Sequence, residues 1–191
     1  NVIVIRLYAQ INQELLAALI AFTASKEAVK GVLVQKRGRG RETEFDIVYG
    51  EVPALLICEE NGLKFEIEPL QNQNFGLFLD MRHGRQWLRE HAQDKKILNL
   101  FAYTCAFSVA AVAGGAQLVA NVDVSKKALS VGRRNHQLNE HQKQLTQFMP
   151  YDMLKSWSRI KKPGPFDIVV IDPPSFQPGS FVAQNDYAKV L

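Results

Sequence analysis

"KKILNLFAYTCAFSVAA" (residues 95–111) carries an apolar strand into a corner and then into small helix-forming residues. A strand, turn and helix of this kind open a nucleotide-binding α/β domain, and the corner usually holds two or three glycines. Here no glycine falls between Lys95 and Ala113. Three readings follow: a cofactor loop built without glycine, a catalytic cysteine motif around Cys105, or a buried hairpin.

Downstream, strands and helices alternate. "KKILNLFAY" (95–103) predicts a buried strand, and "AFSVAAVAGGA" (106–116) a short helix ending at Gly114–Gly115. "LVANVDVS" (118–125) reads as a strand, and "SKKALSVGRRNHQLN" (125–139) as a helix that Ser125 can N-cap. "LTQFMPYDMLKSW" (145–157) predicts a strand running into a turn, and "FDIVVIDPPSF" (166–176) a very apolar strand ending in Asp-Pro-Pro. Apolar strands separated by helices indicate a parallel sheet covered on both faces.

Upstream, residues 1–70 predict a small α+β domain. "VIVIRLY" (2–8) is a β-branched strand, and "INQELLAALIAFTA" (11–24) sets Leu15, Leu19 and Phe22 at helical spacing beside Ile11 and Ala18. Strands are expected at 31–37, 44–51, 54–62 and 63–70, the last two joined by an Asn-Gly turn. Residues 71–94 form a connector that becomes a helix over 84–92, with Trp87 and Leu88 available to pack. Residues 95–191 make the Rossmann-like sheet.

Composition narrows the classes. The 191 residues are 47% hydrophobic and 22% charged, the balance of a globular chain rather than a disordered one. No apolar run reaches the ~18 residues of a membrane span, and the N-terminus has no signal-peptide pattern. The missing initiator Met suggests a piece of a longer chain. Cys58 and Cys105 lack metal-ligand spacing and read as reduced thiols of a cytoplasmic protein. The net charge of +4 is unevenly placed, with Lys36, Arg37, Arg39 and Arg41 in "QKRGRGRE" and four more cations in "SKKALSVGRRNH". An anionic partner is compatible with that charge, which cannot name it.

In an open α/β sheet, ligands bind outside the carboxyl ends of the strands, where the strand order reverses. That rule selects the loop "NLFAYTCAFS", Asp123, Tyr151–Asp152 and "DPPSF", all expected on one edge. Asp123 lies about twenty residues past the first loop, where a carboxylate can accept from both ribose hydroxyls. A dinucleotide enzyme and a methyltransferase both remain open on these grounds. A pyrophosphate needs close backbone approach, hence glycine, whereas S-adenosylmethionine has no phosphate and can border a bulkier loop. Rigid prolines after Asp172 also suit a methyl-transfer centre, with Phe176 available to stack on a planar substrate.

"GLFLDMR", "KKILNLFAYTCAFSVAA", "NVDVSKKAL...RRNHQLN" and "FDIVVIDPPSF" together resemble the bacterial class I S-adenosylmethionine-dependent methyltransferases of large-subunit ribosomal RNA, whose members make 5-methylcytosine or 7-methylguanine. The resemblance covers roughly residues 45–191, with a looser likeness of the N-terminal third to the small α+β domain of that group. It implies S-adenosylmethionine as cofactor and an RNA substrate. It implies that Asn99, Phe101, Tyr103, Thr104, Ala106 and Phe107 line the methionine end and floor of the site. Asp123 would bind the ribose with Val124 beside the adenine, Asp152 would accept from the adenine amine, and Met153 would cover the ring. Asp80 and Arg82 would reach over the cofactor from the connector, with the arginine on its carboxylate. Asp172, Pro173, Pro174 and Phe176 would face the methyl group and the substrate base. The chain departs from its relatives at Cys105-Ala106, where they commonly carry Gly-Gly or Gly-Ser. It also stops at Leu191, before the last strands of a seven-stranded sheet and the region that holds the nucleophilic cysteine of cytosine-modifying relatives.

The expected reaction is direct attack of a base nitrogen or carbon on the methyl group, without metal and away from any membrane, with nitrogen favoured. A nicotinamide-dependent oxidoreductase and a non-catalytic RNA-binding relative remain as alternatives. Each residue also has a plainer reading. Asp123 can serve a helix dipole, Asp152 can be a turn aspartate, and Cys105 can be a small core residue. Cys58 reads as core, and His83, His91, His136 and His141 as surface residues. "QKRGRGRE" can be an RNA contact or a solvated hairpin, while Arg82 and Arg85 flank the expected cofactor site.

Overall fold

The computed structural model describes residues 1–37, 43–71 and 74–173. Most of the basic stretch "QKRGRGRE" lies outside them, as do Pro174 and Phe176. The chain divides into two compact units, Asn1–Ile57 with Ile67–Phe75, and Cys58–Glu66 with Gly76–Leu191.

In the first unit, β1 (Val2–Leu7) and β2 (Gly31–Arg37) run parallel, joined by α1 (Gln13–Ala24), and β3 (Thr43–Gly50) returns antiparallel on β2. Asn12 starts α1 by accepting from the amides of Glu14 and Leu15. The core gathers Ile5, Leu16, Val32 and Val34, with Ile20 alongside. The expected stripe of Leu15, Leu19 and Phe22 is instead the exposed one, with Leu15 at 59% and Phe22 at 60% accessibility. Helix α1 is apolar almost all round, so its period sets spacing without choosing a face.

Residues Cys58–Glu66 of the second unit make up most of a hairpin of β4 (Leu56–Glu60) and β5 (Leu63–Ile67), joined by the expected Asn61–Gly62 turn with φ of 52° and 77°. Leu63 and Phe65 of that hairpin pack on Val109 and Ala110 of α3 (Ala106–Ala113). The main sheet comprises β6 (Lys96–Leu100), β7 (Leu118–Val122), β8 (Thr146–Met149) and β9 (Ile168–Ile171), in the order β8-β7-β6-β9 and parallel throughout. The parallel sheet expected from alternating strands and helices is therefore present.

Residues alternate between the two faces of the sheet. Ile97 and Val119 meet Leu88 of α2 (Arg82–His91) and Ala111 and Val112 of α3. Leu98, Leu100, Ala120 and Val122 meet Met153 and Ile160 of α5 (Met153–Ile160) on the other face. Burying each such leucine contributes roughly 1.5–3 kcal/mol. Helix α4 (Lys126–Leu138) follows β7 and is capped by Ser125, as its sequence suggests. Helix α5 corrects the turn expected at the end of the stretch 145–157. Only eight residues long and broken at Ser156 (φ −127°), it offers too little periodicity to be read, and Asp152 is its N-cap. No helix among the described residues is long and apolar enough to cross a membrane.

Candidate cofactor site

The strand order turns back between β6 and β9, so the carboxyl ends of these two strands flank the crevice where such sheets bind ligands. Strand β6 empties into residues 101–105, and β9 into Asp172-Pro173.

The loop after β6 alternates in handedness. Phe101, Tyr103 and Cys105 have φ of 55°, 47° and 61°, the left-handed region that favours glycine. For residues with a Cβ this conformation costs roughly 1–2 kcal/mol apiece, so the surroundings must hold it. Several contacts do. The amide of Ala102 donates to the Val122 carbonyl at 2.9 Å, and that of Cys105 to the Ala102 carbonyl at 2.7 Å. The Tyr103 amide donates to Asp123 Oδ2 at 2.8 Å, while Asp123 Oδ1 accepts from the Ser125 amide at 2.8 Å. Asp123, half-buried just past β7, thus ties the β6 loop to the start of α4. The Thr104 hydroxyl donates to the Gly76 carbonyl at 2.5 Å. The Tyr103 ring lies tilted against Phe78, centroids 5.5 Å apart.

Cys105 is fully buried, and desolvation raises its thiol pKa far above the ordinary range, with the Asp123 charge acting the same way. A thiol held neutral is no nucleophile, so the core reading prevails. Its sulfur fits against Gly132 of α4, where an added Cβ would stand 2.4 Å from Cys105 Sγ.

The other expected residues divide into two groups. Val124 is 55% exposed beside Asp123, and Asp80 and Arg82 are exposed on the turn leading into α2. Asp152 accepts from the amides of Leu154 and Lys155 with one oxygen, and its other oxygen lies 3.6 Å from Lys155 Nζ. Asp172 sits at the mouth of the crevice. Partial burial raises its carboxyl pKa, the Asp80 charge raises it further, and Arg85 opposes both. Asn99, Ala106, Phe107 and Met153 instead turn their side chains into packed layers. Phe107 rests on the α2 side, Ala106 beside Phe65, and Met153 among Leu98 and Leu100. Arg85 is buried and binds Glu60 through two 2.8 Å bonds. Arg82 lies 3.5 Å from the same carboxylate.

Asn99 faces α3 because it shares its sheet face with Ile97. It donates to Asn121 opposite it on β7, Asn121 donates to Ser108 Oγ, and Ser108 pairs with His136 Nε2. His136 Nδ1 meets His141 Nδ1 at 2.9 Å. His136 is therefore a core residue, not the surface one expected. Burial lowers its pKa to about 3, with His141 adding to the effect, and burial lowers that of His141 too. His83 and His91 are exposed, as expected, and Cys58 is only partly buried. Among the described residues no group of three or more His, Cys, Asp or Glu side chains could hold a metal ion.

A parallel sheet that reverses order beside a left-handed loop, with one aspartate past β7 and another past β9, defines a Rossmann-like cofactor-binding unit. Residues 6–191 match the model for S-adenosylmethionine-dependent methyltransferases, and the chain belongs to that family. It is 36% identical over 148 residues to Ribosomal RNA large subunit methyltransferase I of Aeromonas hydrophila, covering 76% of this chain and 37% of the relative. The chain thus spans little more than a third of that relative. Among solved structures, a methyltransferase crystallised with SAH superposes with a TM-score of 0.87 at 28% identity, over 99% of this chain and 50% of the other. A SAM-dependent methyltransferase from Streptococcus mutans superposes with a TM-score of 0.85 at 28% identity, over the same 99% and 50%.

Proposed function

We propose that this chain forms the S-adenosylmethionine-binding part of a cytoplasmic methyltransferase that acts on a base of ribosomal RNA. The observation that carries the reading is the loop after β6. It keeps a left-handed backbone at three alternate positions without glycine, and the amides of Ala102, Tyr103 and Cys105 are already bonded within the protein. Amides so engaged cannot cradle a pyrophosphate, which disfavours a nicotinamide dinucleotide. A cofactor without phosphate needs no such cradle.

In this reading Asp123 accepts from the ribose hydroxyls with the lone pairs that Tyr103 and Ser125 leave open. Phe101, Tyr103 and Thr104 form the floor, with Asn99, Ala106 and Phe107 supporting it from within. Val124 and Asp152 border the adenine, and Met153 anchors that wall from the core. Asp80 and Arg82 close over the methionine end. When bound, the cofactor supplies a sulfonium methyl group for transfer to a nucleophile on the base. Asp172 and the Pro173 carbonyl accept hydrogen bonds from the substrate's amino or imino groups. Pro174 and Phe176 belong to the same motif in sequence and lie outside the described residues, and a base that receives the methyl group must be turned out of its stack. The similarity to a ribosomal RNA methyltransferase at 36% identity supports the choice of RNA.

Calorimetric titration of the protein with S-adenosylmethionine and with NAD tests the reading. We expect binding of the former alone. Tight NAD binding with no response to S-adenosylmethionine would overturn it.

A further inference from the structure

We propose that Asn135 is a positioning residue that holds the glycine-free loop in its cofactor-binding shape. Asn135 lies on α4 and is fully buried. Its Nδ2 donates to the Thr104 carbonyl at 2.9 Å, and its Oδ1 accepts from the Glu66 amide at 2.8 Å. These partners fix the orientation of the side-chain amide, since a carbonyl only accepts and an N–H only donates. Neither aspartate nor leucine, of similar shape, can do both.

The Thr104 carbonyl belongs to the same planar peptide as the Cys105 amide. Holding that carbonyl holds the plane from which the left-handed φ of Cys105 departs, and the Cys105 N–H is pinned at its other edge by the Ala102 carbonyl. Asp123 holds the Tyr103 peptide in the same way. The strain that glycine would have avoided is thus carried by two side chains, Asp123 from the end of β7 and Asn135 from α4. One helical turn further on, Asn139 provides an internal contrast. It donates to the Lys64 carbonyl and accepts from the Lys64 amide, so it supports the hairpin without touching the loop.

The functional consequence rests on the cofactor reading above, whereas the effect on loop shape does not. Two readouts separate them: hydrogen exchange of the Tyr103 amide in cofactor-free protein, and the dissociation constant for S-adenosylhomocysteine. Asn135→Ala should speed Tyr103 exchange about tenfold and weaken binding about tenfold. Cys105→Gly in the Asn135→Ala background should restore both, because glycine adopts the left-handed conformation without support. Asn139→Ala should change neither. The proposal falls if Asn135→Ala leaves Tyr103 exchange unchanged, if Asn139→Ala matches its effect, or if Cys105→Gly fails to rescue. Should Asn135→Ala not fold, Asn135→Asp, which keeps shape and acceptor but loses the donor, answers by the same exchange measurement. A parent protein that binds no S-adenosylhomocysteine would overturn the cofactor reading, while the exchange data would still decide the role of Asn135.

Discussion

At the β4–β5 hairpin the chain turns through Asn61 and Gly62 at φ of 52° and 77°, whereas after β6 it reaches similar values through Phe101, Tyr103 and Cys105. The hairpin uses residue types that tolerate left-handed backbone, so its shape is local and needs little help. The β6 loop uses types that resist it, so its shape is imposed from elsewhere, by Asp123, Asn135 and the snug contact between Cys105 and Gly132. A turn of the first kind is written in two adjacent residues. One of the second kind is written in residues twenty or thirty positions away.

This contrast can be broken at the loop first. Asp123→Ala removes the acceptor for the Tyr103 and Ser125 amides as well as the proposed ribose ligand. Affinity for S-adenosylmethionine should fall about a hundredfold, or about 2.7 kcal/mol, by calorimetry. Unchanged affinity would mean the ribose site is misassigned. Gly132→Ala drives a methyl group against Cys105 Sγ and should cost about 1–3 kcal/mol in urea denaturation. Adding Cys105→Gly should recover most of that loss, and no recovery would show that the two positions are not complementary.

Beneath the loop, His136 tests the packed polar layer. Its pKa is lowered from 6.5 to about 3 in the folded protein. Between those pH values the unfolded chain binds a proton that the folded chain refuses, so stability is full above 6.5 and declines as pH falls. The slope should approach about 1.4 kcal/mol per pH unit for this residue, and His136→Gln should flatten it between the histidine and carboxylate ranges. The hairpin should respond less. Asn61→Ala should cost about 1 kcal/mol and leave cofactor affinity alone, and a loss of affinity would make the two turns interdependent. The smallest effect concerns Asp172, whose raised pKa should set the acid limb of activity above the ordinary carboxylate range. Asp80→Asn should move that limb down in pH, and an upward shift or none would remove Asp80 from its surroundings.

Much of this architecture is legible from residue pattern. Four apolar strands, the Asn61–Gly62 turn and the Ser125 cap are local signals, and all appear where expected. The aspartates past β7 and β9 follow from the rule for strand ends. Other features depend on partners far along the chain. Asn99 looks like a loop ligand until its register opposite Asn121 turns it inward. His136 looks polar and exposed until Ser108 and Phe148 enclose it. Leu15 and Leu16 are indistinguishable by type, and only the sheet beside α1 selects Leu16. "RRNHQLN" reads only as the end of the helix over 125–139, yet its two asparagines, one helical turn apart, hold backbone groups of β5. A pair of amides at that spacing was the available signal, and pattern alone could not name their partners.

Those asparagines also bear on solubility. Lys64 and Glu66 belong to a two-stranded sheet, whose outer margin would ordinarily present free amides and carbonyls to any passing extended chain. Asn139 takes both backbone groups of Lys64, and Asn135 takes the amide of Glu66. A helix thereby seals the edge of a strand with side chains in place of a neighbouring strand. The hairpin is left with less purchase for unwanted strand addition, and the seal closes only once α4 has docked.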